Sequence, residues 1–215
     1  MADLTVYGVG TSRTLRAHWA MAELGLAYHT EQIQSRSGQT TTPAYTALDP
    51  RQKVPVLKDG DFVLSESATI VTYLGESYGN AERALVPIEP KQRARYNEWI
   101  SFICMELDAT SLYVLRRHEG LPQIYGEAPV ASKVAREYFI KMIDAAATKF
   151  GTDHMHVLGG NFSGADIIMM TVLPWAKRLH IPLPAVFEIY HDRMVKRPAY
   201  QAALLANTPE GPQAP

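Results

Sequence analysis

The segment KVPVLKDGDFVLSES, from Lys53 to Ser67, decides the fold of this chain. Its two apolar runs flank Asp59-Gly60, a pair that is a strong short-range signal for a β-hairpin. Pro55 lies inside the first run, although proline lacks the N–H that a strand ladder needs. It fits there if the Val54–Pro55 bond is cis and the strand edge faces a ligand. The segment therefore predicts a hairpin whose entrance faces a ligand.

A helix is predicted directly after this hairpin. Apolar residues recur at helical spacing from Ile70 to Tyr78, Gly79 ends the pattern, and Ser65 is a favoured type of capping residue. Glu66 and Ser67 then lie at a helix N-terminus, which offers free N–H groups and a positive dipole to an anion. The neighbouring carboxylate can hold an ammonium group. Together these groups suit the amino-acid end of a ligand.

The order of motifs in the chain resembles that of the cytosolic glutathione transferases. An early segment, Thr11 to Arg16, precedes the Lys53-Val54-Pro55 step, and the hairpin and Glu66-Ser67 follow. In the C-terminal half, Ser163 stands three residues before Asp166, ahead of a strongly apolar helix. Similar caps open the central buried helix of that family. The resemblance implies a detoxifying transferase that uses glutathione as its co-substrate.

The elements read as strand, helix, strand, helix, hairpin and helix, followed by helices alone. The resemblance implies an α/β thioredoxin-like N-terminal domain with a mixed four-stranded sheet, followed by an all-α C-terminal domain. The predicted boundaries are 1–79 for the glutathione-binding domain, 80–89 for a linker and 90–205 for the helical domain. Residues 206–215 have the composition of a disordered tail.

Length and charge agree with this reading. The 215 residues, 47% of them hydrophobic, are enough to bury one large core or two small ones. The 21 basic and 22 acidic residues give a formal net charge of -1, so we expect no nucleic-acid partner. No apolar stretch reaches the roughly 18 residues of a membrane span, and the start lacks a signal-peptide pattern. We therefore expect no membrane partner and a cytoplasmic location.

The chemistry that the resemblance implies is activation of the glutathione thiol. A cysteine thiol has a reference pKa of about 8.5, and only the thiolate is a good nucleophile. One hydroxyl hydrogen bond to a charged group contributes about 1.5 to 3 kcal/mol, which with a helix N-terminus can lower the thiol pKa by about two units. In serine-type members, theta-like or of a related bacterial class, the catalytic hydroxyl precedes an arginine by about four residues. Ser12 and Arg16 have that spacing, and Thr11 and Thr14 remain alternatives.

The resemblance also implies the other contacts of glutathione. Lys53 is expected at the glycyl carboxylate, and Val54 is expected to pair through its backbone with the cysteinyl unit, as an added strand would. Pro55 completes that edge. Glu66 and Ser67 are expected to hold the γ-glutamyl end.

The second substrate is expected to be a small, largely apolar electrophile. Its predicted pocket lies between the first-strand loop and the first long C-terminal helix, with Val9, Phe102, Met105 and Glu106 as the candidate residues. A homodimer is expected from the family alone. Two alternatives keep the same fold: a non-catalytic binding or scaffold protein, and a glutathione-dependent lyase or reductase of a catabolic pathway.

Two other motifs do not predict a site. Gly8-Val9-Gly10 begins a dinucleotide fingerprint, but Arg13 stands where the third glycine belongs, so no nucleotide is expected. His154 and His156 are close in sequence, yet no further ligand motif accompanies them. We therefore expect no metal.

Overall fold

The computed structural model describes residues 3–211 of the chain, which form two compact units. The first unit combines the described residues up to Val86 with those from Val195 onward, and the second is Pro87–Met194. The chain thus leaves the first unit, builds the second and returns. The predicted helical domain, by contrast, runs to residue 205.

A four-stranded mixed sheet forms the centre of the first unit, as predicted, with the strand order β2-β1-β3-β4. Its strands are β1 Leu4–Val9, β2 His29–Gln34, β3 Val56–Asp59 and β4 Phe62–Ser65. The β1–β2 pair is parallel, whereas the β1–β3 and β3–β4 pairs are antiparallel. Asp59 pairs with Phe62, so the predicted hairpin is present, with Asp59 at the end of β3 and the two-residue turn at Gly60-Asp61. The sheet and its helices have the thioredoxin-like arrangement.

Three helices follow the strands of this sheet: α1 Ser12–Leu24, α2 Pro43–Leu48 and α3 Ser67–Tyr78. Gly25 ends α1 with a left-handed φ of +66°, a conformation that favours glycine. The N-cap of α3 is Glu66, so the expectation that Ser65 caps this helix was wrong. Ser65 is instead the last residue of β4, where it pairs with Val56.

The second unit is helical, as predicted. Its first helix, α4, spans Pro90–Phe102 and continues through wider π-type turns at Ile103–Leu112 and Arg116–Gly120, with α5 at Tyr113–Leu115 between them. The remaining helices are α6 Pro122–Tyr125, α7 Pro129–Phe150, α8 Gly164–Arg178 and α9 Ala185–Met194. Among the described helices, none combines the length and the apolar character needed to cross a bilayer.

The predicted cap of α8 is present and extends into a buried network. The fully buried Asp166 carboxylate accepts hydrogen bonds from the Ser163 N–H at 2.8 Å and the Val157 N–H at 2.9 Å. It also accepts one from the Tyr190 hydroxyl at 2.8 Å. Because a buried carboxylate is costly unless it is hydrogen-bonded, these donors are what allow Asp166 to lie in the core.

The last helix, α10 Pro198–Ala206, packs against α1 within the first unit. The Trp19 and Tyr200 rings meet edge to face, with centroids 4.7 Å apart. Asn207 and Glu210, beyond this helix, make hydrogen bonds to the same unit, in contrast to the disorder predicted from residue 206. Residues 212–215 of that predicted tail lie outside the described residues. Composition shows that this C-terminal segment is polar and rich in proline. It does not show which residues of the chain the segment contacts.

Candidate functional site

The turn between β1 and α1 carries the three hydroxyl groups considered for catalysis. Thr11 is the N-cap of α1, and its hydroxyl accepts a hydrogen bond from the Thr14 N–H at 3.0 Å. In return, the Thr14 hydroxyl accepts one from the Thr11 N–H, also at 3.0 Å. This reciprocal pair is a capping box, in which both side chains satisfy free N–H groups at the start of the helix.

The three hydroxyl groups differ in how they are engaged. Thr14 is fully buried, and its Oγ1 lies 2.6 Å from Oδ1 of Asn207. Ser12, the first residue of α1, is only half-buried. Its side chain makes no hydrogen bond to any residue of the described chain. Ser12 therefore has the one hydroxyl of the three that is both accessible and not committed to the fold of the turn.

Arg16 connects the start of α1 to the start of α3. Its side chain is 3% exposed, and Nη1 donates a hydrogen bond of 3.1 Å to the buried Ser67 hydroxyl. Sequence reasoning used Arg16 only as a spacing marker for Ser12 and missed this contact. Its position between the apolar Leu15 and Ala17 was an available signal, since a buried guanidinium requires acceptors. The contact brings Ser67 and the Ser12 turn into one region with a buried positive charge.

The backbone around Lys53 is held from two sides. The Tyr45 hydroxyl donates to the Lys53 carbonyl at 2.6 Å, and the Lys53 N–H donates to Oδ2 of Asp49 at 3.1 Å. Burial and the nearby Asp49 carboxylate raise the Tyr45 pKa, so this hydroxyl keeps its proton at neutral pH. The Lys53 side chain itself is exposed, and the Val54–Pro55 bond that follows is cis, as predicted. The lysine thus projects from a fixed backbone.

Glu66 combines an unusual backbone with an exposed carboxylate. Its φ of +72° lies in the left-handed region, which costs a non-glycine residue about 1 to 3 kcal/mol and occurs mainly at ligand and active sites. Its side chain is 72% exposed and lies 2.7 Å from Nη1 of Arg51. Arg51 also contacts Asp49 at 3.1 Å, and that hydrogen bond raises the guanidinium pKa. An arriving ammonium group would share the Glu66 carboxylate with Arg51.

The candidates for the electrophile pocket lie in both units. Val9 is fully buried at the end of β1 in the first unit. Phe102, Met105 and Glu106 lie in the second unit, where α4 passes into π-type turns. Met105 is 59% exposed, and Glu106 accepts a hydrogen bond from the Tyr138 hydroxyl at 2.5 Å. The second unit thus brings three candidates together on one helix, and their role stays a prediction.

Metal-ligating side chains do not cluster in the described part of the chain. Within residues 3–211, no group of three or more His, Cys, Asp or Glu side chains is placed to hold a metal ion.

Comparisons with known proteins agree with this geometry. The family model described as Glutathione S-transferase, N-terminal domain, matches residues 2–76. Glutathione S-transferase theta-1 of Bos taurus is 29% identical over 166 residues, which are 75% of this chain and 68% of the relative. A glutathione S-transferase of Triticum aestivum is 28% identical over 206 residues, which are 93% of this chain and 91% of the relative.

Solved structures extend the similarity to nearly the whole chain. The theta class glutathione S-transferase of Xanthomonas axonopodis pv. citri, solved with glutathione bound, is 27% identical with a TM-score of 0.77. The match covers 95% of this chain and 98% of that one.

Proposed function

Because the chain belongs to the glutathione S-transferase family, we propose that it is a glutathione transferase in which the Ser12 hydroxyl stabilises the glutathione thiolate. The thiolate then attacks a small, largely apolar electrophile. One observation carries the choice of Ser12. Its hydroxyl is accessible and uncommitted in the described chain, whereas the Thr11 and Thr14 hydroxyls serve the capping box.

The position of Ser12 suits the stabilisation of an anion. It is the first residue of α1, where free N–H groups and the helix dipole favour negative charge. A hydrogen bond from its hydroxyl to a thiolate contributes about 1.5 to 3 kcal/mol. Since each pKa unit corresponds to 1.36 kcal/mol, these effects lower the thiol pKa from about 8.5 to about 6.5.

The same proposal assigns the contacts of the bound tripeptide. Lys53 neutralises the glycyl carboxylate, while the backbone of Val54, followed by Pro55, pairs with the cysteinyl unit. Glu66 and Ser67 hold the γ-glutamyl ammonium and carboxylate. The fixed backbone of Lys53 and the buried contact between Arg16 and Ser67 support this assignment, because a preorganised site loses less entropy on binding.

The test is the ultraviolet absorbance of the glutathione thiolate, titrated with pH in the presence of the protein. We expect the wild type to bind glutathione with a thiol pKa about two units below the free value and Ser12→Ala to move it back toward that value. Turnover at pH 6.5 then falls by up to about 50-fold, the value for a full return of the thiol pKa to about 8.5. Ser12→Thr is the matched control, because it retains a hydroxyl and should keep most of the shift.

Each other outcome identifies an alternative. An unchanged thiol pKa in Ser12→Ala would exclude Ser12 and direct attention to Thr11 and Thr14. Glutathione bound to the wild type without thiolate at neutral pH would reject catalysis and leave the non-catalytic binding protein.

A homodimer and a cytoplasmic location are further proposals that rest on the family. Sedimentation velocity tests the dimer directly.

A further inference from the structure

Asn207 contacts the Ser12 turn through three different atoms. Its carbonyl accepts a hydrogen bond from the Gly10 N–H at 2.8 Å. Its Oδ1 lies 2.6 Å from the Thr14 hydroxyl, and its Nδ2 donates to the Thr11 carbonyl at 3.1 Å. One residue at the end of α10 therefore holds both sides of the turn that contains Ser12.

The available protons decide which residue donates the hydrogen bond between Thr14 and Asn207. A threonine hydroxyl has one proton, and an amide oxygen can only accept. The 2.6 Å contact is therefore a donation from Thr14 to Asn207, in competition with the Thr11 carbonyl, which lies 2.9 Å from the same hydroxyl, and the lone pairs of Thr14 accept the Thr11 N–H. In this way Asn207 orients the hydroxyl that closes the capping box.

The segment after Asn207 also covers the backbone of the turn. Gly10 has a φ of +80°, and a Cβ built on it would come within 3.0 Å of Cγ of Pro209. Chain 207–209 thus lies close against the turn, and both this tight contact and the positive φ favour glycine at position 10. The turn is enclosed on this side by backbone contacts as well as by the Asn207 amide.

We propose that Asn207 is a positioning residue for thiolate activation. It fixes the Gly10–Thr14 turn, and that turn determines where the Ser12 hydroxyl lies relative to the thiol. This inference rests on the proposed role of Ser12. Asn207 is half-buried, so truncating its side chain allows water to reach the Thr11 carbonyl and the Thr14 hydroxyl. Loss of Asn207 should therefore affect the geometry of the turn more than the core.

The experiment compares Asn207→Ala with Arg197→Met in the full chain. Arg197 pairs with Glu23 at the other end of α10, so its loss loosens the same helix without touching the turn. Three quantities are measured: the thiol pKa of bound glutathione, the Kd of S-methylglutathione, which lacks an ionisable thiol, and the thermal midpoint. A third variant, Thr14→Val, removes the hydroxyl that donates to Asn207, alone and combined with Asn207→Ala.

We expect Asn207→Ala to raise the bound thiol pKa by about one unit and to lower turnover at pH 6 by about eightfold. The lost turnover should return at higher pH. The Kd of S-methylglutathione should change by less than about threefold, since Asn207 is not among the proposed ligand contacts. Arg197→Met should lower the thermal midpoint and leave the thiol pKa unchanged. The effects of the two changes should be less than additive, because both break the Thr14–Asn207 contact and the double variant additionally loses only the Asn207 Nδ2 bond to the Thr11 carbonyl.

Several results would overturn the inference. An unchanged thiol pKa in Asn207→Ala would refute it while leaving Ser12 as the proposed catalyst. An equal pKa rise in Arg197→Met would show that any loosening of α10 has this effect. A loss of S-methylglutathione binding beyond tenfold would show that Asn207 maintains the binding site as a whole. Absence of thiolate in the wild type at neutral pH would reject the proposed function, and this inference with it.

Discussion

The Glu23 carboxylate accepts two hydrogen bonds from Arg197, one from Nε at 2.9 Å and one from Nη2 at 2.8 Å. Trp19 donates a third through Nε1 at 2.8 Å. The Glu23 side chain is only 12% exposed and that of Arg197 31%. The pair joins the C-terminal part of α1 to the start of α10, while Asn207 joins the opposite ends of the same two helices. α10 is therefore fastened to α1 at both ends.

This ion pair should contribute measurably to stability. A bidentate arginine–carboxylate pair that is largely buried from solvent is stronger than an exposed one. We therefore expect Arg197→Met to lower the unfolding free energy by about 2 kcal/mol. Chemical denaturation of Arg197→Met, Glu23→Gln and the double variant measures the coupling. The exposed pair Arg95–Glu98 is the control, where loss of the arginine should cost less than about 1 kcal/mol. Equal costs at both sites would contradict the role assigned to shielding.

Asp166→Ala should be the most destabilising of the substitutions considered. It removes the acceptor of the buried N–H groups of Ser163 and Val157 and one acceptor of the Tyr190 side chain. Each unsatisfied buried group costs about 1 to 3 kcal/mol, so a loss of about 4 kcal/mol in unfolding free energy is expected. Urea denaturation followed by circular dichroism measures it. Asp153→Ala, at an exposed position, should change stability by less than about 0.5 kcal/mol.

Tyr45→Phe should weaken glutathione binding more than it weakens the fold. The change removes the hydrogen bond that fixes the Lys53 carbonyl, which contributes about 1 kcal/mol to stability. The freed backbone should raise the Kd of glutathione by about three- to tenfold, measured by isothermal titration calorimetry. Tyr125→Phe, at an exposed tyrosine of the second unit, is the control. If Tyr45→Phe binds glutathione like the wild type, the backbone of Lys53 is not limiting for recognition.

His18 should make the stability of the protein sensitive to mild acid. It is buried between the Gly8 carbonyl, to which Nε2 donates at 3.0 Å, and the Tyr28 hydroxyl, which lies 2.8 Å from Nδ1. Burial lowers the His18 pKa, so the folded protein takes up the proton at lower pH than the unfolded chain does. Its contribution to stability is complete above pH 6.5, about the unfolded value, and is lost as the pH falls from there through the lowered folded pKa.

The unfolding free energy of the wild type, measured between pH 7.5 and about 5, should therefore decrease more steeply than that of His18→Asn. His180→Asn is the matched control, because His180 is exposed and asparagine tolerates its left-handed φ of +55°. A slope in His18→Asn as steep as in the wild type would place the acid sensitivity elsewhere.

Features that depend on neighbouring residues were predictable from the sequence. The hairpin signalled by Asp59-Gly60 and the cap formed by Ser163 and Asp166 each depend on residues within a few positions, and both are present, although the two turn residues are Gly60 and Asp61. The predicted N-cap of α3, Ser65, is one residue before the observed N-cap, Glu66, and the reason lies in the sheet. Whether this serine ends a strand or starts a helix depends on its pairing with Val56.

The contacts that define the site depend on distant parts of the chain. Arg16 and Ser67 belong to different helices, and the Thr14 hydroxyl meets Asn207 near the end of the sequence. Neither residue type nor spacing identifies such partners, because the three-dimensional fold creates the proximity. Sequence reasoning could therefore name Ser12, Thr11 and Thr14 as alternatives. It had no means of showing that the two threonines are engaged in holding the turn.

The return of α10 to the first unit has a consequence for synthesis on the ribosome. The helix that covers Trp19 is made only after all of Pro87–Met194 has been translated, a delay of about 5 to 20 s at ordinary elongation rates. During that interval the nascent α1 has neither Tyr200 against its indole nor Arg197 against Glu23. The unit that emerges first from the ribosome is therefore completed last. Until then, Tyr200 does not cover the Trp19 indole.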